Sequence, residues 1–342
     1  MTKSKTKNVL LQETKEGSDI NPQINKDRIV RNPGMDLELD LVNEIRVNRS
    51  AIERRASTLP FRRTVKKNWQ IAWMLKAVTC IDLTTLAGDD TPGRVHRLAA
   101  KAKQPIRQDL LDSFGFTGDF HVGAVCVYHE LLEPVKQALK GTYIPVAVVS
   151  TGFPAGQIPL DIKIEEIKRS VEAGADEIDI VISRAHVLNS HWEQLYDEVK
   201  AFREACGSAH LKTILATGDL GTFTQVQKAS MVCMMAGADF IKTSTGKESV
   251  NATLPVSLTM VRAIRDYYNL TGHLVGFKPA GGIKTAKEAV RWLLLMKEEL
   301  DNRWLEPGLF RIGASSLLAD IERQLEFHQS GVYSAYHRHP LG

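Results

Sequence analysis

From about residue 77 onward the hydrophobic and polar positions follow two alternating periods. Short runs rich in β-branched residues, each closed by Gly, Thr, Ser or Pro, give way to amphipathic stretches with the repeat of a helix. Eight such runs occupy 78–83, 122–128, 145–150, 177–182, 211–216, 240–243, 275–279 and 310–313. Their starts lie about 33 residues apart, the spacing of a βα unit. Ala173-Gly174-Ala175-Asp176 and Ala236-Gly237-Ala238-Asp239 each close a helix with glycine and open a strand, 63 residues apart, or about two units. Eight βα units in about 245 residues predict an α/β fold, the TIM (β/α)8 barrel. Periodicity alone leaves a doubly wound open sheet as the rival. A dinucleotide-binding open sheet would need a glycine fingerprint after its first strand, where this chain has Thr84-Thr85-Leu86-Ala87-Gly88.

Ahead of the barrel the pattern differs. Residues 1–35 are polar, aperiodic and interrupted by Pro22, Pro33 and Gly34, so they are expected to be disordered. Over 36–76, Leu37, Leu39, Leu41, Val42, Ile45 and Val47 precede a charged stretch. Trp69, Ala72, Trp73 and Leu75 then recur at helical spacing, which predicts an N-terminal extension of one or two docked helices. The barrel is assigned to 77–325 and a polar tail to 326–342.

Composition narrows the classes. With 43% hydrophobic and 25% charged residues the chain is neither globally disordered, collagenous nor a coiled coil, and 342 residues suit two average domains or one large α/β barrel. The net charge of +4 is unevenly placed: residues 1–75 hold 15 Lys and Arg against 9 Asp and Glu, the remainder 29 against 31. The basicity therefore belongs to the extension. Its densest stretch, RRASTLPFRRTVKK at 54–67, reads as a solvated or helix-packing surface, with nuclear localisation, RNA binding or kinase recognition at Ser57 as alternatives. Four scattered cysteines without C-x-x-C spacing fit reduced thiols. The N-terminus has no apolar signal-peptide segment, and no apolar run approaches a membrane span. A cytoplasmic location is expected, with the nucleus left open.

The chemistry concentrates at strand ends, where such barrels place it. Lys212, Lys242 and Lys278 stand in otherwise apolar strands. Alternation puts Phe240, Lys242 and Ser244 on one face, and Gly276 and Lys278 on one face of the next strand. If both faces point inward, two ammonium groups share the mouth. Desolvation and a neighbouring like charge then favour a neutral, nucleophilic amine able to form Schiff bases. Any one strand-end lysine is more simply explained by snorkelling or by pairing with a carboxylate, a reading weakened by three on consecutive strands. Asp179, set among apolar residues, is expected to pair with a lysine or relay protons. Asp82 is placed similarly, although local backbone bonding explains it equally well. Gly281-Gly282 and Gly313-Ala314-Ser315-Ser316 follow the last two strands, where barrels bind phosphate. The ten histidines show no compact metal-ligand spacing.

Taken in order, CIDLTTL (80–86), EIDIVI (177–182), LKTILATG (211–218), ADFIKTSTGK (238–247), VGFKPAGGI (275–283) and RIGASSLL (311–318) resemble the deoxyribose-phosphate aldolase family of class I aldolases, from about 78 to 318. The extension, with RRTVKK and Trp69, is similar to that of the animal branch. The resemblance implies metal-free, cofactor-free reversible cleavage of 2-deoxy-D-ribose 5-phosphate to D-glyceraldehyde 3-phosphate and acetaldehyde, in deoxyribonucleoside catabolism. It makes Lys242 the Schiff-base lysine, Lys278 the neighbour that lowers its pKa and Asp179 the acid/base, with Lys212 and Asp82 in support. Substrate and phosphate would be held by Thr84, Thr245, Gly246, Gly281, Gly282, Gly313, Ser315 and Ser316. The expected partner is a phosphorylated sugar, with no membrane or nucleic acid and with self-association into a homo-oligomer left open. Lys284 stands where bacterial members carry arginine and Ala216 where they carry a carboxylate. Tyr333 and Tyr336 are the candidates for their terminal tyrosine. Two other readings remain: another Schiff-base barrel such as a transaldolase, and a barrel that also binds protein or RNA through its basic extension.

Overall fold

A computed structural model describes residues 31–63, 65–335 and 338–339. Residues 1–30, the larger part of the segment expected to be disordered, lie outside the described residues. The last part of that segment is ordered, contrary to expectation. Asn32 is buried and donates to the carbonyls of Met234 (2.7 Å) and Ala238 (2.9 Å), while its own side-chain oxygen accepts from the hydroxyl of buried Tyr267 at 3.0 Å. One amide side chain thus satisfies backbone carbonyls at a helix end, which local polarity alone does not reveal.

The extension forms three α-helices, Leu39–Glu44, Arg49–Thr58 and Asn68–Thr79, where one or two were expected. Asn48 caps the second, accepting from Ala51 N–H at 2.9 Å. The third buries Met74, Ala77 and Val78 and continues through Val78 and Thr79, residues assigned from sequence to the first strand. Trp69, one of the residues whose spacing predicted this helix, is 60% exposed.

Eight parallel strands follow: β1 (Ile81–Thr84), β2 (Ala124–Val127), β3 (Val146–Ser150), β4 (Glu177–Val181), β5 (His210–Ile214), β6 (Phe240–Lys242), β7 (Gly276–Lys278) and β8 (Ile312–Ala314). Consecutive strands from β1 to β7 pair with one another, and β1 also pairs with β8. Between β7 and β8 the ring closes through the bridges Phe277–Phe310 and Ala280–Gly313, with Gly313 N–H donating to the Pro279 carbonyl at 2.9 Å. Closure eliminates the open-sheet rival and the exposed edges it would carry. Helices return the chain between strands, and the last of them, Leu317–Ser330, runs past the expected boundary at 325.

Register fixes the interior. Phe240 lies beside Gly276 and Lys242 beside Lys278, while Asp179 lies beside Lys212. The Phe240 ring occupies the space a side chain at Gly276 would need, since a Cβ there would fall 2.3 Å from a ring carbon. One wall is apolar, built from Cys126, Ala147, Val149, Phe153, Val181 and Ile214. Asp179 and Lys212 precede Val181 and Ile214 by two residues on β4 and β5, so the polar groups lie one layer below this wall on the same strands. Among the described residues no helix is long and apolar enough to cross a membrane.

Candidate active site

Asp179, the third residue of β4, is fully buried and accepts from the amino groups of three lysines. Its Oδ1 receives Lys212 Nζ at 2.8 Å, and its Oδ2 receives Lys242 Nζ and Lys278 Nζ, each at 2.7 Å. Lys278 Nζ also lies 2.5 Å from Asp82 Oδ2. Gly313 leaves room for this reach, because a Cβ there would meet Lys278 Cε at 3.4 Å and Ala280 Cβ at 2.9 Å. All five residues proposed from sequence for the chemistry therefore share one buried cluster, and the expected pairing of Asp179 with lysine occurs three times over.

Two members escaped the sequence reading. Glu177 Oε2 accepts from Lys212 at 2.5 Å, and Arg311 donates to Asp82 Oδ1 at 2.6 Å and to Glu177 Oε1 at 2.8 Å. A signal for Glu177 was present: it precedes Asp179 by two residues and so shares its face. Arg311 likewise precedes Gly313 by two, but its partners on β1 and β4 become neighbours only through the closed barrel.

Burial penalises every charge here, so the partners decide which survive. For Asp179 burial favours the neutral acid, yet Lys212, Lys242 and Lys278 together hold it well below the ordinary carboxylate range. Burial also acts against Lys278 and Lys212, but Asp179 with Asp82, and Asp179 with Glu177, raise their pKa values above the ordinary lysine value. Lys242 goes the other way. Burial, aided by the charge of Lys278, outweighs Asp179 and lowers its pKa. Two lysines are kept as ammonium ions and the third is pushed toward a free amine.

Lys242 forms the floor of a cavity of about 220 Å³. Thr84, Thr245, Gly246, Gly281, Gly282, Gly313, Ser315 and Ser316, all expected to hold substrate, line it together with Lys247 and Lys284. Gly281 and Gly282 both adopt left-handed backbone (φ 84° and 81°), and a Cβ at Gly281 would strike Asn251 at 2.6 Å. The helix starting at Leu317 follows cavity-lining Ser315 and Ser316 directly and has no side-chain cap at Ser316. The helix Ala286–Glu299 is instead sealed by a capping box of Thr285 and Glu288. One part of the rim is occupied from within: Glu248 accepts from Thr245 N–H at 3.0 Å and Gly246 N–H at 3.2 Å.

Comparison with known proteins adds the decisive observation. The model of the DeoC/LacD family aldolases matches residues 76–320. The chain belongs to the DeoC/LacD aldolase family. It is 58% identical to Homo sapiens deoxyribose-phosphate aldolase over 313 residues, covering 91% of this chain and 98% of that one. It is 60% identical to the Mus musculus enzyme of the same name over 315 residues, covering 90% and 98%. A tetrameric deoxyribose phosphate aldolase structure from Aeropyrum pernix shares the fold at 22% identity, with a TM-score of 0.57 over 82% of this chain and 99% of that one.

Within this aldolase family the departures noted from sequence now have positions. Lys284 lines the cavity and is exposed. Ala216 is fully buried with left-handed backbone (φ 52°), at the turn leaving β5. Tyr333 stacks on Phe327, ring centroids 4.3 Å apart, and is not among the residues lining the cavity. Tyr336 lies outside the described residues.

Proposed function

We propose that the chain is a class I deoxyribose-phosphate aldolase that cleaves 2-deoxy-D-ribose 5-phosphate, with Lys242 as the Schiff-base residue. The observation that carries this reading is the split within the lysine cluster: the lysine exposed to the cavity is the one driven toward its free amine. The Lys242 amine adds to C1 of the open-chain sugar, and loss of water from the carbinolamine gives an iminium. Asp179 and the Lys278 ammonium move the proton that leaves with that water. Asp179, directly or through water, takes the proton of the 3-hydroxyl as the C2–C3 bond breaks. The bonding pair enters the iminium as an enamine, and C3 to C5 depart as D-glyceraldehyde 3-phosphate. Protonation at C2 and hydrolysis release acetaldehyde and restore the amine.

Backbone donors around Gly281, Gly282, Ser315 and Ser316, with Lys247 and Lys284, suit the 5-phosphate, and Thr84, Thr245, Gly246 and Gly313 complete the substrate contacts. The apolar wall suits the two-carbon aldehyde. By kinship with a tetrameric relative, self-association is part of this reading, as is a cytoplasmic role in deoxyribonucleoside catabolism. The test is borohydride reduction with acetaldehyde followed by peptide mass mapping. An adduct on Lys242, with Lys242→Leu inactive, is expected. Active protein without that adduct would overturn the mechanism.

A further inference from the structure

The buried charges of the active site form a closed ring with one member left over. Arg311 contacts Asp82, Asp82 contacts Lys278, Lys278 contacts Asp179, Asp179 contacts Lys212, Lys212 contacts Glu177, and Glu177 returns to Arg311. Signs alternate around the ring, so three carboxylates balance three cations and each member has an opposite charge on both sides. Lys242 hangs outside it, bonded among the described residues only to Asp179 Oδ2, an oxygen already engaged by Lys278. A proton on Lys242 would leave the buried cluster with one uncompensated positive charge, which burial makes costly.

Groups from the surrounding elements do not alter this balance. Cys126 on β2 is held as a thiol, its pKa raised by burial, and His210 on β5, 4.0 Å from Glu177, is kept neutral by burial. The β3 residues facing the cluster are apolar Ala147 and Val149. Among the described residues, Asp82, Glu177, Asp179, Lys212, Lys278 and Arg311 are therefore the charged groups that set the environment of Lys242, from β1, β4, β5, β7 and the residue just before β8. Arg311 differs from the lysines in being permanently charged. Its guanidinium is fully engaged, with Nε donating to the Pro307 carbonyl at 2.5 Å as well as the two carboxylates below the reacting groups.

Building on the Schiff-base reading above, we propose that Arg311 and Glu177 are positioning residues that fix the proton count of the ring, so that Lys242 is its uncharged appendage. Removing Arg311 deletes a fixed positive charge, and Lys242 can then keep its proton to higher pH. Removing the charge of Glu177 does the opposite. Removing both restores the balance.

The test compares wild type, Arg311→Met, Arg311→Lys, Glu177→Gln and the double variant Arg311→Met/Glu177→Gln. The readouts are the pH profile of kcat/KM and the pH dependence of borohydride trapping of Lys242 with acetaldehyde. Arg311→Met should move the acidic limb of both profiles upward by about one pH unit, about a tenfold loss well below the limb. Arg311→Lys should leave the limb near its wild-type place, Glu177→Gln should move it downward, and the double variant should return it toward wild type. A limb unmoved in every variant, or Arg311→Lys shifted as far as Arg311→Met, would overturn the proposal in favour of a purely structural tie. If Arg311→Met does not fold, Glu177→Gln carries the test by the sign of its shift: downward supports the proposal, and no movement or upward overturns it. Absence of trapping at Lys242 in the wild-type enzyme would instead overturn the Schiff-base reading.

Discussion

Lys278→Met removes the ammonium that shares Asp179 Oδ2 with Lys242, while keeping an unbranched side chain of similar length. Two nitrogens, each 2.7 Å from one carboxylate oxygen, stand about 4–5 Å apart at ordinary hydrogen-bond angles. At that range two positive charges repel by about 4 kcal/mol for an effective dielectric of about 20. Each ~1.4 kcal/mol changes the ratio of amine to ammonium tenfold. Half of the repulsion therefore corresponds to about 30-fold less free Lys242 amine, and all of it to several hundredfold. The loss of a competing donor to Asp179 acts in the same direction, because that carboxylate then bonds Lys242 more strongly. The assay is the pH dependence of kcat/KM for 2-deoxy-D-ribose 5-phosphate cleavage. On the acidic limb the variant should fall by at least about 30-fold, and part of the loss should return as pH rises. A deficit of equal size at every pH would show that Lys278 acts by geometry or proton donation alone, and the charge argument would fail.

The phosphate side offers a simpler test. Glu248 occupies Thr245 and Gly246 N–H groups at the rim, so Glu248→Gln removes an anion that competes with the substrate phosphate. KM for the phosphorylated sugar should drop severalfold while KM for unphosphorylated deoxyribose stays put; equal changes in both would reject that role. Gly276→Ala forces a Cβ to 2.3 Å from the Phe240 ring, and strain of this kind costs about 1–3 kcal/mol. A urea midpoint within error of wild type would contradict it. His210 is buried, and that burial lowers its pKa to about 4 from 6.5. The unfolded chain thus binds the proton first as pH falls, so the folded state loses stability from about 6.5 downward. Between pH 7 and 5 the loss from this group is about 2 kcal/mol, and His210→Gln should remove that part of the slope in chemical denaturation.

What could be read before folding, and what could not, follows from the range over which each feature is specified. The eight strands and the lysines within them are local: β-branched runs, glycine stops and a charged residue among apolar neighbours are visible in a short window. The three lysines and Asp179 were found for that reason. Helix ends were less legible, because Val78 and Thr79 are β-branched residues that nonetheless finish a helix, Val78 sharing its buried face with Met74 and Ala77. Asn32 was missed because its partners, Met234, Ala238 and Tyr267, lie some two hundred positions away.

Arg311 illustrates the remaining limit. Read locally, an arginine at the start of a short strand is a surface residue snorkelling to water. It becomes buried only because β8 pairs with β1, and it becomes useful only because Glu177, on β4 across the barrel, faces it. A permanent charge is tolerable there when both carboxylates are already in place, and those carboxylates are tolerable only beside the lysines they serve. No single member of the ring is favourable alone. The charge state of Lys242 is therefore a property of the closed barrel, and a variant that loosens β1–β8 pairing should disturb the amine before it disturbs the phosphate loops.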